Sequence, residues 1–156
     1  MVYIIKIYTD GSTKTNPGPG SYAVVMLDES PTYGISLPWM IKMEYENTTN
    51  NRMELMALIQ AVRHSFVYAC TPIIYCDSAY CVNMYNEWID NWAAAGWKRS
   101  KNQPIENLDL VQELYELKHL TFFCPAVEKI KGHAGHIGNE LCDVRDNTQL
   151  IWAVQQ

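Results

Sequence analysis

Apolar and polar positions change period several times along the chain, and each change marks an element. Residues 2–9 are rich in Ile, Val and Tyr and predict a strand ending at Thr9-Asp10-Gly11-Ser12. The cluster Asn16-Pro17-Gly18-Pro19-Gly20 is a turn by composition. Apolar residues return over Tyr22–Leu27, and in looser alternation between Tyr33 and Tyr45, with a second turn at Asp28-Glu29-Ser30-Pro31. Three antiparallel strands account for this opening third.

The period then becomes helical. Leu55, Leu58, Ile59, Val62 and Phe66 recur at helix spacing through about residue 69, behind a cap at Thr49 or Asn50, with Glu54 placed in the first turn. Thr71-Pro72 stops that helix. Ile73–Cys76 is a short strand suited to a buried central position. Ser78 caps a helix through Tyr80, Val82 and Tyr85, and Glu87–Ala95 carries Trp88, Ile89 and Trp92 on one face before Gly96 ends it. After a basic, polar loop over Lys98–Pro104, Asn107 caps a helix lined by Leu110, Leu114 and Leu117. Leu120–Ile130 is strand-like, and Pro125 inside it demands an edge position or a bulge. A glycine-rich loop over Gly132–Gly138 leads to a last helix from Asn139 to about Val154. The order βββαβα(α)αβα predicts an α/β fold: one mixed sheet flanked by helices, in a single domain over residues 1–156.

Composition narrows the class. With 48% hydrophobic and 19% charged residues among 156, the chain is neither disordered nor fibrous, and no apolar run reaches membrane-spanning length. The N-terminal residues lack the basic lead and small-residue site of a secretory signal, so a cytoplasmic protein with no membrane partner is expected. Twelve basic residues against seventeen acidic give a net charge of −5, which supplies no general attraction to nucleic acid; local basic patches or cations masking carboxylates must do that work. Five cysteines, an odd number without a close pair, point to free thiols rather than a disulfide scaffold or zinc site.

The informative carboxylates sit at element ends. Asp10 closes the first strand and Asp77 the strand beginning at Ile73, while Glu54 and Asp143 lie in early turns of helices. If the first and fourth strands are parallel neighbours, Asp10 and Asp77 meet at one sheet edge, where loops leave a crevice. Converging carboxylates repel unless protonated or neutralised, and a hard divalent cation with oxygen ligands is the natural neutraliser. Two such ions can activate water and stabilise a leaving oxygen in phosphodiester cleavage. Any one aspartate taken alone reads equally as a cap or turn residue.

The motifs around these carboxylates are specific. Tyr8-Thr9-Asp10-Gly11-Ser12 with Asn16-Pro17-Gly18-Pro19-Gly20, then Thr49-Asn50-Asn51-Arg52-Met53-Glu54-Leu55, Cys76-Asp77-Ser78, Trp88-Ile89 with Asn91-Trp92 and Gly96-Trp97-Lys98, and finally Lys131-Gly132-His133-Ala134-Gly135-His136 with Asn139-Glu140 and Asp143, appear in that order. In this the chain resembles type 1 ribonuclease H, the bacterial-type family, from residue 2 to about residue 146. The resemblance implies a ribonuclease H-like fold, a five-stranded mixed sheet with three antiparallel strands followed by parallel ones. It implies an endonuclease that hydrolyses the RNA strand of RNA–DNA hybrids, leaving 5′-phosphate and 3′-hydroxyl ends. Metal ligands would be Asp10, Glu54, Asp77 and Asp143, holding two Mg2+ ions with Mn2+ as a substitute, and His133 would orient water or help product leave. The implied substrate contacts are Asn16, Asn50 and Asn51 in the minor groove, Thr49 and Arg52 at a DNA phosphate, and Trp92, Trp97 and Lys98 on a handle along the DNA strand. His64 and His119 read as ordinary, His136 as structural. A monomer is expected.

Departures from the family pattern are local. Ala93-Ala94-Ala95 replaces a basic cluster between the second and third tryptophans, Ala79 stands where many relatives carry a glutamine, and residues 28–48 form a longer hairpin. None removes a metal ligand. The readings from other classes are a binding module on the same fold that has lost catalysis, a nuclease preferring another duplex, and a nuclease domain cut from a reverse transcriptase.

Overall fold

In the computed structural model the described residues are 5–28, 39–66, 72–120 and 124–131. Five strands, β1 (Ile5–Thr13), β2 (Gly18–Asp28), β3 (Trp39–Thr48), β4 (Ile73–Cys76) and β5 (Ala126–Lys129), form one sheet in the order β3-β2-β1-β4-β5. The pairs β1–β2 and β2–β3 are antiparallel, and β4 lies parallel to both β1 and β5. The mixed sheet is therefore the one expected, with β4 central and β5 on the edge directly after Pro125. The strand itself is shorter than Leu120–Ile130, because α4 and its cap run on through His119.

Strand β1 runs four residues further than its sequence suggests. Gly11 and Ser12 look like breakers, yet antiparallel pairing with β2 continues through Asp10↔Ala23, Gly11↔Tyr22 and Ser12↔Ser21 to Thr13↔Gly20. The turn closes with the Lys14 N–H donating to the Pro19 carbonyl at 2.8 Å. Asp10 thus lies inside a strand rather than at its end. What stops near it is the parallel neighbour, since β4 ends at Cys76 opposite Thr9.

Helix α1 (Asn50–Ser65) takes Thr49 as its N-cap, whose Oγ1 accepts from the Arg52 N–H at 3.2 Å. Glu54 consequently falls in the second turn, not the first. Its described turns close at Ser65 with Phe66 as C-cap, short of residue 69. Met53, Leu55, Ala57, Leu58, Ile59, Ala61 and Val62 are buried, an apolar face broad enough to cover one side of the sheet. With Ile7, Val24, Ile74, Met84, Ile89, Val111 and Leu114 they form the main core. Tyr8, Ala23, Val25, Leu27 and Ile130 make a second buried cluster on the opposite face.

The two helices read between Ser78 and Gly96 are continuous. Helix α2 (Ala79–Asn83), capped by Ser78 Oγ accepting from the Cys81 N–H, passes through a wider π turn over Met84–Trp88 into α3 (Ile89–Ala94). At the end of α3 the Gly96 N–H donates to the Ala93 carbonyl and the Trp97 N–H to the Trp92 carbonyl, closing a Schellman motif. Gly96 at φ +73° is the residue that this turn requires. Helix α4 (Leu108–Lys118) does begin after Asn107, but that residue is left-handed and its side chain makes no cap. Cys76, Cys81 and Cys124 are free thiols, as expected. No described helix is long and apolar enough to cross a membrane. The expected Gly132–Gly138 loop, the last helix, His133 and Asp143 lie outside the described residues, as do 29–38 of the longer hairpin.

Candidate active site

Three of the expected carboxylates lie on neighbouring parts of the chain: Asp10 in β1, Asp77 just after β4, and Glu54 in α1. In the parallel pair β1–β4 the last register match is Thr9↔Cys76, between strands about 4.8 Å apart, and Asp10 and Asp77 are the residues that follow it on either side. Alternation turns Gly11 to the other face from Asp10, toward α1. There a Cβ on Gly11 would lie 2.5 Å from the backbone nitrogen of Glu54. The absence of a side chain at Gly11 is what lets helix and strand touch at the level of Glu54.

Charge coupling agrees with that proximity. The Glu54 carboxyl is held above its ordinary range, chiefly by burial and also by the negative charge of Asp77, while a hydrogen bond with Ser78 works in the opposite direction. Ser78 is itself buried. Its oxygen accepts from the Cys81 N–H, leaving its hydroxyl hydrogen for Glu54. The sequence suggests Ser78 only as a helix cap; its contact with Glu54 crosses from the start of α2 to α1 and has no signature along the chain.

The sign of the Glu54 shift gives a test. A carboxyl that holds its proton more tightly when folded costs stability once pH rises through its raised value. In metal-free protein Glu54→Gln should melt above the parent near neutral pH, and the gap should close toward about pH 3.5, where both side chains are uncharged. Thermal melts in EDTA across that range check this. A lower melting temperature for the variant at neutral pH would contradict it.

A carboxyl whose ionisation is opposed chiefly by burial, and further by a neighbouring carboxylate, fits a hard divalent cation that takes oxygen ligands. Among the described residues, no group of three His, Cys, Asp or Glu side chains is gathered tightly enough to hold an ion by itself. The fit therefore rests on the oxygen chemistry of the donors.

Beside the carboxylates, the end of β1 is tied to the start of α1 through asparagines. Asn50 Oδ1 accepts from the Thr13 N–H at 2.9 Å and the Thr13 hydroxyl at 2.6 Å, and the Asn50 N–H donates to Asn16 Oδ1 at 3.2 Å. Since Oδ1 faces inward, the Asn50 amide NH2 is the part left for a ligand. Asn51 follows, half-buried. A cleft of about 560 Å³ adjoins this corner, lined by Ser12, Thr13, Lys14, Ser21, Glu44 and Tyr45 among others. It is not lined by the three carboxylates.

Arg52 reaches across to α4. Its guanidinium donates twice to Asp109, at 3.1 and 2.9 Å, and once to Asn107 Oδ1 at 3.2 Å. The guanidinium keeps the Asp109 carboxyl below its usual range. This explains why Asn107 does not cap α4. Trp88 and Trp92 pack together with ring centroids 5.8 Å apart, and Trp97 meets Tyr115 edge-on at 5.3 Å. Trp92 and Trp97 are half-buried, whereas Lys98, Arg99 and Lys101 are exposed on the loop that follows.

A family model for ribonuclease H matches residues 3–149. The chain belongs to the ribonuclease H family. It is 42% identical over 148 residues to the ribonuclease H of Lachnoclostridium phytofermentans, covering 92% of this chain and 90% of that one. The ribonuclease H of Stutzerimonas stutzeri is 35% identical over 158 residues, covering 97% and 95%. Among solved structures, LC9-RNase H1, a type 1 RNase H with the type 2 active-site motif, superposes with a TM-score of 0.72 at 29% identity, over 91% of this chain and 69% of that one. The RNase H domain of PFV shares the fold at a TM-score of 0.73 and 21% identity, over 88% and 87%. Strand order and helix placement are thus those of the ribonuclease H fold, and the expected family assignment holds.

Proposed function

We propose that this ribonuclease H cleaves the RNA strand of RNA–DNA hybrids at a site made by Asp10, Glu54, Asp77 and Asp143, with two magnesium ions or manganese in their place. The observation that supports the site is that Asp10 and Asp77 each follow the last β1–β4 pair, Thr9↔Cys76, while the backbone of Glu54 lies against Gly11 and the charge of Asp77 opposes the ionisation of Glu54. When bound, the ions supply activation of water and charge stabilisation at the departing 3′ oxygen.

The chain's own residues hold and orient. Asp10 stands where β1 loses its parallel neighbour and would serve both ions; Asp77 and Glu54 complete one site and Asp143 the other. Ser78 steers the Glu54 carboxylate toward its ionised form. His133 would orient water or assist product release. The inward-facing Asn50 oxygen presents its amide hydrogens to 2′-hydroxyls and base edges, and Asn16 and Asn51 flank it. Thr49 and Arg52 take a DNA phosphate. Three of the five Arg52 donors are already engaged, so this contact uses the remaining two. Trp92, Trp97 and Lys98 bear on the DNA strand. The reading takes residues 1–156 as one catalytic domain, monomeric and cytoplasmic.

Strand-resolved cleavage of an end-labelled RNA–DNA hybrid in magnesium, beside single-stranded RNA, double-stranded RNA and double-stranded DNA, tests the proposal. Cuts confined to the RNA of the hybrid, with 5′-phosphate ends, are expected. Binding without cleavage in either magnesium or manganese would replace it with the binding-module reading, and cutting of another duplex would overturn the substrate.

A further inference from the structure

Asp90 opens α3, and both of its carboxylate oxygens are taken by the far end of α4. Lys118 Nζ donates to Oδ2 at 2.9 Å, and His119 Nε2 lies 2.5 Å from Oδ1. One turn back along α4, the ring of Tyr115 sits 4.6 Å from that of His119 and meets the Trp97 indole edge-on. Helix α4 therefore grips the α3 segment at two places: its first turn through Asp90, and the second residue beyond its C-cap through Trp97.

Lys118 adds a third attachment. Its ammonium also donates to the Tyr85 carbonyl in the π turn and lies 4.6 Å from the centre of the Tyr85 ring. This lysine is only 8% exposed. A buried ammonium is costly unless paired and hydrogen-bonded, and Asp90, though its own side chain is about half exposed, is the carboxylate that pairs with it. Burial pushes the Asp90 carboxyl up, but the hydrogen bonds from Lys118 and His119 outweigh it and hold it below the usual range.

The loop that leaves this brace begins in an unfavourable conformation. Trp97 has φ +65°, a left-handed value that favours glycine over any residue with a side chain. Something must hold it, and the indole packed on Tyr115 and the main core does so. Lys98 follows directly, exposed, so the direction of its side chain depends on how α3 is seated.

We propose that Asp90, acting with Lys118 and His119, is a positioning residue for hybrid binding: it sets the seat of α3 on α4 and thereby the placement of Trp97 and Lys98 along the DNA strand. The inference rests on the reading of Trp97 and Lys98 as contacts to the hybrid. Asp90 touches neither substrate nor the carboxylates.

The test is a double-mutant cycle on hybrid cleavage, with KM and kcat measured in magnesium for Asp90→Asn, Trp97→Ala and the pair, alongside thermal melts. Asp90→Asn should raise KM roughly five- to tenfold with kcat within about twofold, the loss expected when part of a charge-assisted contact is forfeited in placement. Its effect on KM should largely vanish in the Trp97→Ala background, and Asp90→Glu should recover most of the parent KM. If Asp90→Asn fails to fold because Lys118 is stranded, His119→Ala keeps the Asp90–Lys118 pair and should raise KM about threefold, again only when Trp97 is present. A lowered melting temperature with unchanged KM, or effects that simply add, would overturn the positioning role while leaving the handle intact. An unchanged KM in Trp97→Ala would instead overturn the handle reading, and the inference with it.

Discussion

Replacing Asp77 by asparagine should lower hybrid cleavage by about a thousandfold or more without lowering the melting temperature. Metal-assisted charge stabilisation is worth several kcal/mol at a transition state, and each 1.36 kcal/mol is tenfold in rate. Asparagine keeps the shape of the side chain but loses the anionic oxygen donor, so the loss falls on cation binding. Asp77 follows the last paired residue of β4, and its charge acts against the ionisation of Glu54. Removing that charge relieves repulsion, so in EDTA the variant should melt at or slightly above the parent. In magnesium the order should reverse, because the parent gains stability from a ligand that the variant binds weakly. Single-turnover cleavage and paired melts with and without magnesium check both halves. Cleavage within tenfold of the parent would remove Asp77 from the metal site.

The second large effect lies where no charge is involved. In Gly11→Ala the new Cβ would stand 2.5 Å from Glu54 N, 2.5 Å from Met53 C and 2.8 Å from Met53 O. All three are backbone atoms of α1, and none can turn aside as a side chain could. Helix and strand must therefore part. Overpacking of this kind costs about 3 kcal/mol, the upper part of the usual range. At roughly 2–4 °C per kcal/mol for a domain of this size, the melting temperature should fall by about 6–12 °C. Cleavage should fall further than stability accounts for, since a shift of about 1 Å in a catalytic group can cost a hundredfold. Gly96→Ala is the control. Its Cβ would meet nothing within 4 Å, so only the left-handed backbone at φ +73° opposes it, and about 1 kcal/mol of stability should be lost with cleavage retained. Equal effects at the two glycines would show that the contact between β1 and α1 does not govern the site.

Both predictions turn on the distance between elements that are far apart in the chain, and there the sequence reading has its limits. Thr49 and Ser78 could be read as caps because a cap acts on backbone two or three residues away, and each does cap its helix. The stop at Gly96 was legible for the same reason. Asn107 shows the opposite case. It sits where a cap belongs, but Arg52, 55 residues earlier, takes its side-chain oxygen. His119 read as ordinary, since nothing near it in the chain announces Asp90, 29 residues earlier. The end of β1 was misjudged because Gly11 and Ser12 have poor strand propensity, and pairing with β2 overrides it.

What the amino-acid order determined by itself is therefore local and chemical. It set the succession of strands and helices, the mixed sheet that this succession implies, and the motifs that carry an acidic residue just after β4 and asparagines beside a helix start. Periodicity and capping act within about four residues, so one pass along the chain can read them. Only the tertiary structure decided that β4 ends level with Thr9, just before Asp10, that Gly11 admits the backbone of Glu54, and that Lys118 is buried between a π turn and Asp90. These are packing distances between elements brought together by burial of a shared core. Burial is non-directional, and its outcome depends on all the side chains that fill that core at once.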